Sequence, residues 1–213
     1  MTEHVACIHR DDMPKELLER DIYFLPEEDP HSWCDPAKVM FLPRDMVEED
    51  PTYKQLVAYT VVVCSEGIFH YRRTKEEGEK RLLGNATVGI GGHVSLIDAL
   101  LVNGELHTHC LISNAAKREL REEARLYNGQ YDLTPWALIY SNLSAVNRVH
   151  LGIVNIAKIH SLEEDDDGLY RILDRSVMDL DLCKVEDLHK LKNTESWTSI
   201  VIGGIGLNPC AFK

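Results

Sequence analysis

Three glutamates, Glu119, Glu122 and Glu123, stand in the stretch KRELREEARL (residues 117–126) among three arginines and a lysine. On a helix they fall at i, i+3 and i+4 and share one arc of the surface. Two chemistries fit that arc. Arg118 and Glu122 form an i,i+4 pair of the kind that laces a solvated helix face, worth a few tenths of a kcal/mol. Against this, Glu119 and Glu123 are a like-charge i,i+4 pair, which is unfavourable unless a cation or a proton joins them. Carboxylate oxygens in such a group suit Mg²⁺ or Mn²⁺, ions that complete their shell with water and substrate phosphate. Helical periodicity alone leaves both readings open.

The elements that must position this arc are legible in part. A helix is expected over about 111–127, with Ile112, Ala116, Leu120, Ala124 and Tyr127 on its core-facing stripe. QLVAYTVVVC (55–64) is a β-strand by its branched and aromatic residues, SEG a hairpin turn and IFHYRR the returning strand. TVGIGGHVSL is an apolar segment broken by three glycines, PWALIYS and NRVHLGIVNIAKI are two further strands, and VEDLHKLKN and ESWTSIVIGGIG are two terminal helices. Residues 1–54, rich in Pro, Asp and Glu, read as an extension of short helices and turns packing on a core domain at 55–213. Strands, one helix, strands and then helices argue for an α/β sandwich around a mixed sheet.

With 213 residues and 44% apolar composition, the chain can bury a real core. A net charge of −12 repels a phosphate backbone and argues against nucleic-acid polymers as partners. No apolar run is long enough to span a bilayer, and the N-terminus lacks the pattern of a secretion signal. Six scattered cysteines without CxxC then read as reduced thiols of a cytoplasmic protein. HTHC (107–110) offers three soft ligands, but zinc needs convergent ligands and no second cluster is visible. A surface insertion is favoured there.

RELREEARL (118–126) resembles the core of the Nudix box, which runs Gly, five residues, Glu, seven residues, then Arg-Glu-apolar-x-Glu-Glu-x-Gly-apolar. Arg118, Glu119, Leu120, Glu122, Glu123 and Leu126 match it. Upstream, GIGGHV is similar to the glycine pair that opens the motif, and EKRLLGNATVGIGGHV and NRVHLGIV look like the MutT-type phosphoesterase branch. The resemblance covers about residues 50–200. It departs from the pattern in three places. Gly92 lies 26 positions before Arg118, so about twelve residues are inserted. Cys110 takes the place of the early glutamate. Arg125 stands where the late glycine belongs, which is expected to lengthen the helix by part of a turn.

The resemblance implies a Nudix-like α/β/α sandwich and a pyrophosphohydrolase. Its substrate would be a nucleoside diphosphate linked to another group, attacked by water at one phosphorus. It implies Glu119 and Glu123 as main ligands of Mg²⁺ or Mn²⁺ and Glu122 as a further ligand or the holder of a bound water. The Gly92 carbonyl would complete the shell, and Arg118 would orient a ligand carboxylate. For phosphate contacts the candidates are Arg72, Arg73, Lys80, Arg81 and His93, the last of which could equally cap its turn. EEDDD (163–167) is a candidate loop base by chemistry alone. Two rivals accompany this reading: a Nudix-fold module that senses a nucleotide without cleaving it, and a diphosphate isomerase. A homodimer is left open by the sequence.

Overall fold

The computed structural model describes residues 2–72, 85–160 and 179–212. Arg73, Lys80, Arg81 and the acidic run 163–167 lie outside these. The chain is of the α/β class, with a mixed ten-stranded sheet whose main path runs β12-β5-β4-β11-β10-β2. These strands are β2 Ile22–Phe24, β4 Tyr53–Cys64, β5 Gly67–Arg72, β10 Tyr131–Ile139, β11 His150–Ile159 and β12 Asp179–Cys183. Off the path, β1 (His4–His9) pairs β3 (Met40–Pro43) and β4, β6 (Ala86–Thr87) pairs β5, and β7 (Gly89–His93) pairs β4. β4 is buried over ten consecutive residues, 54–63, which is why it reads as an apolar run with no alternation.

The chain divides into two compact units. One comprises Met1–Tyr59, Gly91–Ala116 and Pro135–Asn155; the other comprises Thr60–Ile90, Lys117–Thr134 and Ile156–Lys213. In the first, β1 is antiparallel to β3 from His4↔Pro43 to Cys7↔Met40 and to β4 from Cys7↔Gln55 to His9↔Tyr53. Val5, Cys7 and Val47 form a small core there, with Leu42 and Tyr53 packed against it. The N-terminal segment therefore contributes strands as well as the expected short helices, α1 (Lys15–Glu19) and α2 (Arg44–Val47). NRVHLGIV is also divided differently. Ser144 caps a short helix α4 (Ala145–Val149), its side chain accepting from the Asn147 N–H, and the strand begins only at His150.

Lys54 is buried in the same unit at 1% exposure. Its ammonium donates to the carbonyls of Pro51 (2.7 Å) and Arg148, and stands over the Tyr140 ring, 5.3 Å from the centroid. Burial, and next the Arg10 charge, push its pKa down to about 8, while Asp50 opposes the shift. The unfolded chain therefore holds this proton more tightly than the fold between pH 8 and 10.5, so the Lys54 contribution to stability rises with pH there. Cys7 and Cys34 act oppositely. Burial pushes both thiols up to about 12, so they withdraw stability above pH 9 as the unfolded chain ionises. Urea unfolding of wild type minus Lys54→Met is expected to gain about 1 kcal/mol between pH 8 and 9. A flat difference across that interval would show Lys54 unshifted.

The second unit is built on β5. It turns back from β4 at Ser65–Glu66, as expected, and is antiparallel to β12 from Ile68↔Cys183 to Arg72↔Asp179. Gly67 is required where it stands: its φ is +153°, and a Cβ there would lie 2.3 Å from the Cys183 carbonyl oxygen. Val62, Phe69, Tyr71, Ile90, Leu120, Ala124, Leu126, Tyr131, Ala157 and Ile159 make its core.

Helix α3 spans Thr108–Ala124, starting earlier and ending earlier than its sequence pattern suggested. Arg125 does not extend it. The residue adopts φ +53°, in the left-handed region, and the Leu126 N–H returns to the Leu120 carbonyl at 3.1 Å. That turn buries Leu126 and leaves Tyr127 51% exposed, off the core stripe. A non-glycine residue pays for this conformation. Arg125→Gly is therefore expected to raise unfolding free energy by up to about 1 kcal/mol, checked by urea melts. A loss of stability would mean that the Arg125 side chain outweighs its backbone.

Candidate active site on the carboxylate helix

Lys117–Ala124, the C-terminal half of α3, brings Arg118, Glu119, Glu122 and Glu123 to the second unit. Leu120 and Ala124 are buried in the core described above, which fixes the rotation of this half-helix. Glu119 lies next to that apolar stripe and is only 8% exposed. Glu122 is exposed, and Glu123 is intermediate with its Oε2 atom shut off from solvent. Arg118 Nη1 donates to Glu119 Oε1 at 2.5 Å and lies 3.5 Å from Glu122 Oε2, while Arg121 Nη2 lies 3.5 Å from Glu122 Oε1. The guanidinium of Arg118 thus bridges two of the three carboxylates. The i,i+4 pair expected from periodicity is present, but the closer contact is to the adjacent residue. Among the described residues no three His, Cys, Asp or Glu side chains converge as a ready metal cage.

Gly91 and Gly92, which belong to the first unit, lie just before the last residue of β7. A Cβ on Gly91 would meet Tyr59 Cδ2 at 3.3 Å and the Ala58 carbonyl oxygen at 3.5 Å, so β7 approaches β4 closely at this point. His93 follows, and its Nε2 is 3.0 Å from His150 Nε2. His150 Nδ1 lies 2.7 Å from the Val146 carbonyl and so carries the proton, and burial pushes His150 toward the neutral form. His150 Nε2 is then the acceptor and His93 Nε2–H the donor, an assignment made from the network. This bond ties one ring nitrogen of His93 to His150. Arg72, at the end of β5, places both terminal nitrogens 3.5 Å from the Lys192 carbonyl.

One acidic residue escaped the sequence reading. Asp98 stands six positions after Gly92, which is the Gly–five residues–acid spacing of the motif with Asp in place of Glu. It is buried, and its Oδ2 accepts from the Ser95 N–H at 2.9 Å in a capping box of the 3₁₀ turn Leu96–Asp98. Counting back from Arg118 reaches Cys110 at the same position of the motif. Cys110 is the third residue of α3. The inserted residues follow the acid. They form a hairpin, β8 (Leu101–Val102) with β9 (Glu105–Leu106), turned by Asn103 and Gly104 at φ +53° and +84°. Asn114 Nδ2 of α3 then donates to the Asp98 carbonyl at 3.0 Å, so the chain returns to the turn it left. Counting forward from Gly92 would have found Asp98.

A cleft of about 910 Å³ in the first unit is lined by Glu3, Asp45, Glu48, Glu49 and Asp50 against one arginine, Arg44. That charge balance suits a diphosphate poorly. No helix among the described residues is long and apolar enough to cross a membrane.

No family model matches the chain. It is 29% identical over 117 residues to Protein YmaB of Bacillus subtilis (strain 168), a match covering 54% of this chain and 54% of that protein, so it spans about half the length of this curated relative. The crystal structure of Tm1382, assigned as a Nudix hydrolase, superposes with a TM-score of 0.71 at 22% identity, covering 95% of this chain and 98% of that one.

Proposed function

From a chain with the Nudix fold, we propose a Mg²⁺- or Mn²⁺-dependent pyrophosphohydrolase that cleaves a nucleoside diphosphate linked to another group. The observation that carries this reading is the carboxylate arc of α3, where Glu119 is buried and Glu123 keeps one oxygen out of water. Like charges at i,i+4 in so dry a place favour a shared cation beyond the Arg118 guanidinium that already meets Glu119. The donors are all hard oxygens, which fits Mg²⁺ or Mn²⁺ and not a soft metal. A bound divalent ion would neutralise the diphosphate and lower the pKa of the attacking water. Glu119 and Glu123 would hold it, with Glu122 as a further ligand or a holder of ordered water. Arg118, bonded to Glu119 Oε1, fixes the direction in which the other Glu119 oxygen is presented. The Gly92 carbonyl, His93 and Arg72 remain proposed contributors. The test is a panel of nucleoside diphosphate derivatives incubated with Mg²⁺ or with chelator, products being separated by chromatography. Mg²⁺-dependent formation of a nucleoside monophosphate is expected.

A second reading, a nucleotide sensor without turnover, draws on Arg118. Its guanidinium already compensates Glu119 and Glu122, which suits a helix face kept for structure. Stabilisation by a nucleotide with no product over hours would select it.

A further inference from the structure

We propose a second metal site, a two-histidine site for Zn²⁺ or a similar borderline-soft divalent ion, formed by His31 and His109 far from each other in sequence. His109 Nδ1 and His31 Nε2 face each other at 2.5 Å, with ring centroids 4.3 Å apart and planes at 71°. Both residues belong to the first unit. The HTHC run lacked a convergent partner in the sequence, and His31 supplies one. Two imidazole nitrogens aimed at one point need either a shared proton or a shared metal ion between them. Tetrahedral Zn²⁺ with Zn–N bonds of about 2.0–2.1 Å sets its nitrogens roughly 3.3 Å apart, so the rings must part by under about 1 Å. His109 is exposed and His31 half-exposed, so small side-chain rotations suffice.

Local hydrogen bonds hold the backbone at His31. Its N–H donates to Asp29 Oδ1 at 3.2 Å, Ser32 Oγ donates to the Asp29 carbonyl at 2.9 Å, and the Cys34 N–H returns to the His31 carbonyl. The Asp29 carboxylate also adds negative potential beside the ring. Among the described residues no third ligand joins the pair, so water or a small anion fills the remaining positions. Bound Zn²⁺ would fasten the 29–34 turn to the first turn of α3.

The full chain is titrated with Zn²⁺ by calorimetry at pH 7.5 in excess Mg²⁺, alongside His31→Ala, His109→Ala and Glu123→Gln. One equivalent is expected in wild type and Glu123→Gln. Affinity is expected to fall at least about tenfold in each histidine variant, a ligand being worth no less than an outer-shell partner. Long-range ¹H–¹⁵N spectra of wild type should show Zn²⁺ shifting His31 Nε2 and His109 Nδ1. Equal affinity in wild type and either histidine variant, or unshifted ring nitrogens at saturation, overturns the proposal. Neither result depends on hydrolysis.

Discussion

Glu123→Gln is expected to lower turnover of the hydrolysed substrate by at least about a hundredfold while leaving the fold as stable as wild type or more so. The magnitude follows from removing a metal ligand: changing even an outer-shell partner of a bound metal costs about 10–100-fold, and a ligand is worth no less. The sign on stability follows from the helix. Glu119 and Glu123 are an i,i+4 like-charge pair, and glutamine keeps the shape of the side chain while removing the repulsion. Glutamine also keeps a polar group where the buried Oε2 atom stands. A variant damaged only in folding would lose activity and melting temperature together, whereas a lost ligand separates the two. Equal kcat in wild type and Glu123→Gln would remove Glu123 from the mechanism.

What could be read in advance follows a physical division. β4 and β11 were legible because both are buried nearly end to end and their apolar content leaves no other use. The arc of Glu119, Glu122 and Glu123 was legible because one helix fixes i, i+3 and i+4. β1, β2 and β3 were not, since their strand state comes from pairing. Cys7 is hydrogen-bonded in register with both Met40 and Gln55, and no local propensity in HVACIH announces that. The end of α3 was misread for a related reason. Burying Leu126 pulls the chain around at Arg125, and a core contact sets a backbone angle that the sequence pattern assigned to a longer helix. Arg118 shows the limit of periodic rules in the site. They pair it with Glu122, four residues on, yet its guanidinium closes on Glu119 because that carboxylate is the less hydrated one. His31 and His109 meet across 78 positions, a contact only the fold can supply.

Arg118→Ala carries the second large effect. The Arg118 and Glu119 side chains are 16% and 11% exposed, and their bond is 2.5 Å long. An exposed pair of this kind would be worth under about 1 kcal/mol, but a largely buried one leaves an uncompensated charge when one partner goes. Arg118→Ala is therefore expected to cost about 3 kcal/mol in urea unfolding without divalent ions. Arg118→Ala with Glu119→Gln should recover part of that, because the stranded charge is gone. Millimolar Mg²⁺ gives the decisive arm. If the arc takes a divalent ion, Mg²⁺ replaces the lost cation and stabilises Arg118→Ala more than wild type, by the linkage of binding to folding. A wild-type stability for Arg118→Ala would show that Glu119 is hydrated in solution. A full loss that Mg²⁺ leaves unchanged would show that the carboxylates are held for Arg118 alone, and would count against hydrolysis at this helix.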